Sequence, residues 1–317
     1  MACKGASWLP SRDIPSLQGK VILITGGSNG LGRRSALDLA KHNHSEIWIA
    51  DRSAPNAQAV INAIESTYPA VSVKFPKLDL TSFDSIRNAA TTFLAAASRL
   101  DILILNAGVM NVPAGSVTQE RHEMHFGTNH VGHALLVKLL VPILRTTATE
   151  SNVGGGKADV RVVFVSSVAH KYPPSGGLQF DSFCPNGQTK PLSANALYGQ
   201  SKLANLLYAR EMAKRYPQWT TVSIHPGTVK TDLQKSTEGS LLIRAFRKVV
   251  VPLIGVDVEE GARSQLWAAT ADGVENGEYY EPVGVAGNGS ALAKDNNLAL
   301  KLWDWTQREI EKVYIWH

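Results

Sequence analysis

A Rossmann-type α/β fold, one domain around a doubly wound parallel sheet with a substrate flap, is predicted by three features of this sequence. Short apolar runs alternate with amphipathic helical segments along nearly the whole chain. The first run, KVILIT at 20–25, ends directly in a glycine-rich turn, Gly26–Gly32. With 317 residues, 44% of them hydrophobic, the chain can bury one large core, and it shows no internal repeat. Strands separated by helices imply right-handed crossovers and a sheet covered on both faces.

The elements follow in order. KVILIT is apolar on both faces, as a central parallel strand must be, and a helical pattern runs from Leu31 to about His42. EIWIAD at 46–51 is the second strand, followed by a helix from Pro55 to Thr67 that begins at a proline. VSVKFPKLDL supplies a third strand, weakened by Pro76. Thr81 to Asp84 has capping-box spacing and opens a helix to about Ser98; DILILN at 101–106 is the fourth strand. A long helix from about Val117 to Arg145 leads, past glycines 154–156, to a fifth strand ending in Ser166 and Ser167. Lys171 to Lys190 is a Pro- and Gly-rich loop, and a helix carrying Tyr198 continues to about Tyr216 before a sixth strand, TVSIH. A helix near Val258–Ala271, a short strand at Glu278–Glu281 and a closing helix from about Leu298 complete the chain. Residues 1–18 read as an N-terminal extension and 19–317 as the domain, with a substrate loop at 171–192 and a flap at 232–256.

Lys and Arg exceed Asp and Glu by 32 to 27, and the excess is scattered, which argues against nucleic acid as a partner. The two cysteines, Cys3 and Cys184, have no zinc-ligand spacing, and the N-terminus has no signal-like apolar stretch, so the expected location is cytoplasmic. No run of about 18–20 apolar residues free of charge is present, so no integral membrane segment is expected. The basic, apolar stretch 241–256 could touch a membrane surface, although a mobile flap over a binding site is the simpler reading.

Gly26 suits a tight turn, Gly30 a close backbone approach to a pyrophosphate, and Gly32 close packing of helix on strand. The helix that follows points unpaired N–H groups at such phosphates. Asp51 and Arg52, about 20 residues on, reach the place where an adenosine ribose would lie. Asp51 argues for NAD(H), since a carboxylate accepts from ribose hydroxyls and repels a 2′-phosphate. Arg52 argues for NADP(H), since a guanidinium pairs with that phosphate. Tyr198 and Lys202, four apart, share one helical face. A phenol, ordinarily near about 10, shuttles protons at neutral pH only beside positive charge, and Lys202 can contribute it.

Together these residues resemble the short-chain dehydrogenase/reductase family over roughly residues 19 to 312. TGGSNGLG at 25–32 is similar to its TGxxxGxG turn, LDL at 78–80 to its adenine-side turn, and NAG at 106–108 to its fourth-strand motif. TNHVGH with Asn129, VSSVAH with Ser167, and Tyr198 with Lys202 match its catalytic tetrad; HPGTVKT at 225–231 matches its nicotinamide-side motif. The retinol dehydrogenase and WW-domain oxidoreductase branch is the most similar. The resemblance implies cofactor contacts from Gly26, Ser28, Asn29, Gly30, Leu31 and Gly32 in the first turn. It implies others from Asp51, Arg52, Asp79 and Leu80, from Asn106, Ala107 and Gly108, and from Pro226, Gly227, Val229 and Thr231, besides Tyr198 and Lys202. That branch usually carries a small residue where this chain has Asp51, so NAD(H) and NADP(H) both stay open.

The implied chemistry is hydride transfer between an alcohol and a ketone or aldehyde. Tyr198 is general acid or base, Lys202 lowers its phenol and holds the nicotinamide ribose, and Ser167 bonds the substrate oxygen. Asn129 interrupts its helix and helps hold a water linking Lys202 to solvent. Ser166 competes with Ser167 for its role. A bulky apolar small molecule is the expected partner, from the apolar flap; an assembly of identical chains is left open. His122, His125, His130 and His133 fall at i,i+3 spacing in pairs, but without a zinc pattern no metal is expected. The alternative function is a cofactor-bound regulatory protein without turnover.

Overall fold

The computed structural model describes residues 7–42, 45–113, 115–153, 159–185, 192–229 and 256–312, with side chains described to 150 in the fourth helical stretch. Seven parallel strands form one sheet in the order β3-β2-β1-β4-β5-β6-β7. They are β1 (Val21–Thr25), β2 (Glu46–Ala50), β3 (Ser72–Lys74), β4 (Ile102–Leu105), β5 (Arg161–Val165), β6 (Thr220–Ile224) and β7 (Tyr279–Tyr280). Strand order reverses between β1 and β4, which opens a crevice at their C-terminal ends.

Strand residues alternate between two cores. Leu23, Leu103 and Phe164 face one core, with Phe93 of helix α4 (Phe83–Ala96), Leu140 of α6 (Gly132–Val153) and Leu203 of α7 (Ala194–Arg215). Ile22, Ile24, Ile104 and Val163 face the other, with Leu39 of α2 (Gly30–Leu39), Ile64 of α3 (Ala54–Thr67) and Leu266 of α8 (Val258–Thr270). A short helix α1 (Pro10–Asp13) lies among Trp8, Ile14 and Leu17, all buried in this second core. The closing helix α9 (Asn296–Glu311) packs Leu302 and Trp303 into the first.

Several boundaries differ from the sequence expectation, each for a local reason. Only three residues of 71–80 form β3, with one further bridge from Asp51 to Lys77, because Pro76 offers no N–H to the ladder. Helix α4 is capped by Ser82, which accepts from Ser85 N, while Phe83 N donates to Glu120. The expected helix from Val117 begins instead at α5 (Met124–Phe126): Val117 bridges back to Glu123, and the Glu123 carboxylate accepts from the His125 and Phe126 amides. Asp295 caps α9 two residues before the expected start.

Between α5 and α6 the helix widens into a π-turn, Gly127–Val131. The continuous stretch Met124–Glu150, which includes Lys138 and Arg145, is long and apolar enough to cross a membrane by length and composition, yet 67% of its most apolar window is buried inside the molecule. It packs as the central helix of the first core. Thr231, residues 232–255 of the flap and 186–191 of the substrate loop lie outside the described residues.

Candidate active site

Seven-strand topology brings the chemistry-bearing segments to one crevice, a cavity of about 960 Å³ at the C-terminal ends of the strands. At its β1 edge the chain turns sharply through Gly26 (φ +66°) and enters α2 at Gly30 (φ +50°). A Cβ on Gly32 would lie 2.2 Å from the Gly26 carbonyl oxygen, so only glycine allows the helix to sit this close. Gly32→Ala is therefore expected to abolish dinucleotide binding, checked by titrating the protein with reduced dinucleotide and following fluorescence. Retained affinity would show that the turn tolerates a wider approach.

Asn106 donates to the Thr25 and Gly26 carbonyls at 2.9 and 3.3 Å, clamping the end of β4 to the turn. Ser28, Asn29, Gly30 and Leu31 line the cavity from one side, Ala107 and Gly108 from another, and Pro226, Gly227 and Val229 from beyond β6. The Ser28 hydroxyl is buried without a hydrogen-bond partner beside this cradle. An unpartnered hydroxyl and a Gly-only close approach are the features a pyrophosphate would use.

Beyond the end of β2, Asp79 and Leu80 reach the wall, Asp79 being held by Thr81 N and Oγ1 at 2.9 and 2.7 Å. Asp51 and Arg52 both border the cavity but differ in engagement. One Asp51 oxygen accepts from Ser28 N at 3.2 Å and the other from Ser53 N at 3.3 Å, tying the glycine turn to the end of β2. Arg52 is exposed and makes no ion pair among the described residues. Ser53 and Asn56 line the same end, at the start of α3; the sequence reading missed them, and Ser53 carried a helix-cap signal.

At the other end, Tyr198, Ser167 and Lys202 converge. Tyr198 and Lys202 lie one turn apart on α7, and the ammonium sits 5.7 Å from the phenol ring centre while donating to the Val165 carbonyl at 3.0 Å. Ser167 lines the same cavity, its hydroxyl accepting from Ala169 N at 3.2 Å. Ser166, its competitor, is turned inward and donates to the Lys202 carbonyl at 2.8 Å, so it fastens α7 to β5. Asn129 lies in the π-turn behind the wall, completely buried. Its amide exchanges bonds with Val109 N and O at 2.8 and 3.0 Å and donates to Ser201 Oγ at 3.0 Å.

Burial pushes the Tyr198 phenol up to about 12, with the Ser167 side chain pulling the other way, and pulls the Lys202 ammonium down to about 8. Burial thus moves the Tyr198 phenol in the opposite direction to the one the Tyr–Lys spacing suggested.

The four histidines go to separate partners. His122 Nε2 meets Glu309, His125 Nδ1 meets Glu123, and His130 Nε2 meets Thr306. His133 bridges two site segments, with Nδ1 3.0 Å from the Asn129 carbonyl and Nε2 2.9 Å from Thr25 Oγ1. A carbonyl only accepts, so Nδ1 carries the proton; Nε2 accepts from Thr25, whose oxygen in turn accepts from Ala107 N at 3.0 Å. The neutral ring so locks the Asn129 turn to the nucleotide cradle. This link was invisible in sequence, although Thr25 and His133 both stood inside the quoted motifs.

A family model described as short chain dehydrogenase matches residues 20–180. An uncharacterized oxidoreductase of Schizosaccharomyces pombe is 36% identical over 95% of this chain and 88% of its own. Retinol dehydrogenase 11 of Homo sapiens is 35% identical over 91% of this chain and 85% of its own. In fold, L-sorbose reductase from Gluconobacter frateurii, solved with NADPH and L-sorbose, superposes with a TM-score of 0.62 at 18% identity, covering 85% of this chain and 96% of that one.

Proposed function

Because this chain belongs to the short-chain dehydrogenase/reductase family and is an oxidoreductase of its retinol dehydrogenase-like branch, we propose that it interconverts an alcohol with a ketone or aldehyde on a bulky apolar small molecule, using NADP(H) in preference to NAD(H). The observation that carries this reading is the convergence of Tyr198, Ser167 and Lys202 at one end of the glycine-turn cavity.

The residues fit a dinucleotide: the Gly26–Gly32 turn, the unpartnered Ser28 hydroxyl and the Pro226–Gly227 wall would hold its length. When bound, it supplies or accepts the hydride. Tyr198, with its proton held to about 12, is the donor to the carbonyl oxygen during reduction and stays protonated at neutral pH until that oxygen becomes basic. Ser167 bonds the same oxygen where negative charge grows. Lys202 would hold the dinucleotide's ribose and offer positive charge to the phenol when it has given up its proton. Asn129 fixes the widened turn behind Lys202, where a water can return a proton from solvent. Val109, Met110, Val168 and Tyr172 border the Tyr198 end and support an apolar substrate.

The cofactor preference rests on Asp51 and Arg52. With each Asp51 oxygen engaged by a backbone amide, its charge is partly spent on the turn, whereas the Arg52 guanidinium is free to pair with a 2′-phosphate. A charged hydrogen bond is worth about 1.5–3 kcal/mol, so Arg52→Ala should weaken NADPH binding roughly 10- to 100-fold. NADH binding should stay nearly constant. Equal losses for both dinucleotides, measured side by side, would return the preference to NAD(H).

A further inference from the structure

We propose that His122, Cys184 and Glu309 form a binding site for one zinc-class divalent cation, outside the cavity and independent of the reading above. The three come from separate parts of the chain: the turn before α5, the loop after β5 and the closing helix α9. Their ligand atoms nevertheless lie within 4.8 Å of one another.

The spacing resembles the edges of a coordination shell. Zinc bonds of about 2.0–2.3 Å in a tetrahedron place neighbouring ligand atoms roughly 3.3–3.8 Å apart. His122 Nε2 and Glu309 Oε1 are 3.2 Å apart, and Cys184 Sγ and Glu309 Oε1 are 3.9 Å apart, so two of the three edges nearly match. One nitrogen, one sulfur and one oxygen form a donor set that suits a borderline cation better than magnesium or calcium. Cys184 reaches solvent on one side, which leaves an entry path.

The surroundings prepare the ligands differently. The hydrogen bond from His122, assisted by Lys312, holds the Glu309 carboxyl down to about 2, so it is an anion throughout the working range. Lys312 bonds the other oxygen, Oε2, at 2.7 Å, and leaves Oε1 facing the histidine and thiol. Burial and the neighbouring carboxylate push the Cys184 thiol up to about 11. Loading therefore releases the Cys184 proton to solvent, and the His122 proton moves from Nε2 to Nδ1, which has no other partner. Affinity consequently falls as pH falls.

A bound cation would tie the loop that follows the cavity wall to α9, next to the stack in which Phe183 lies 3.5 Å from Phe126 and 5.0 Å from Trp305. The test uses the full chain without a histidine tag, in a Cys3→Ser background so that Cys184 is its single thiol, titrated with Co²⁺ alone near pH 8. One equivalent should produce intense visible bands and a near-ultraviolet thiolate charge-transfer band, both displaced by Zn²⁺. Cys184→Ser should remove the thiolate band, and Glu309→Gln should weaken binding by about 10- to 100-fold or more. Dinucleotide binding should be unchanged in both variants, which separates this site from the cavity. Absence of a thiolate band, its survival in Cys184→Ser, or undiminished affinity in Glu309→Gln would overturn the proposal.

Discussion

Tyr198→Phe should lower carbonyl reduction by about 10²–10⁴-fold while dinucleotide affinity stays at the wild-type level. The substitution removes one oxygen and keeps the ring, so the edge contact with His125 at 6.2 Å and the Lys202 ammonium at 5.7 Å remain. What disappears is the proton that the substrate oxygen must receive. Lys202 stays where it is, with one of its three N–H groups donating to the Val165 carbonyl at 3.0 Å. Single-turnover absorbance at the reduced nicotinamide band, alongside a binding titration, separates the two quantities. Turnover close to wild type would remove Tyr198 from proton transfer and leave a dinucleotide-bound regulatory protein as the better reading.

The second large effect is acid sensitivity of the fold. Burial holds His130 down to about 3 and His133 and His225 each down to about 4. In the unfolded chain the same groups protonate near about 6.5. Between those values the unfolded state binds protons that the folded state refuses, so stability is full above about 6.5 and falls with pH toward the folded values. Going from pH 7 to pH 5 should remove roughly 2 kcal/mol for each of the three histidines, about 6 kcal/mol in all, comparable with the total stability of many domains. Glu309, lowered to about 2, acts in a more acidic window and does not offset this loss. Urea unfolding at pH 7, 6 and 5 reads the effect directly. A change below about 1 kcal/mol would mean that these rings accept protons in the folded protein.

Much of the fold was legible because its physics is local. KVILIT and DILILN are buried on both faces, so an unbroken apolar run marks each as a parallel strand; Gly26 takes a φ of +66° and Gly32 stands where no Cβ fits. Elements that depend on a distant partner were less legible. Val117 looks helical until Glu123 bridges back to it and caps α5, and Thr81 looks like a cap until Glu120 takes the Phe83 amide. The same limit applies to the site. Asp51 reads as a ribose ligand in sequence, and its two bonds to Ser28 and Ser53 exist only once β1 and β2 lie side by side.

Sequence alone determined the order of strands and helices, the glycine turn and the shared helical face of Tyr198 and Lys202, because periodicity, backbone freedom and helical spacing are properties of neighbouring residues, whereas Asn129 and Ser167 were singled out by the family resemblance. Tertiary structure decided which serine faces the phenol, since Ser166 turns inward to the Lys202 carbonyl. It also decided that burial raises Tyr198 and lowers Lys202, and that His133 joins Thr25 to the Asn129 turn. Desolvation and long-range hydrogen bonds depend on what the folded chain brings alongside each group, and residues separated by a hundred positions meet only there.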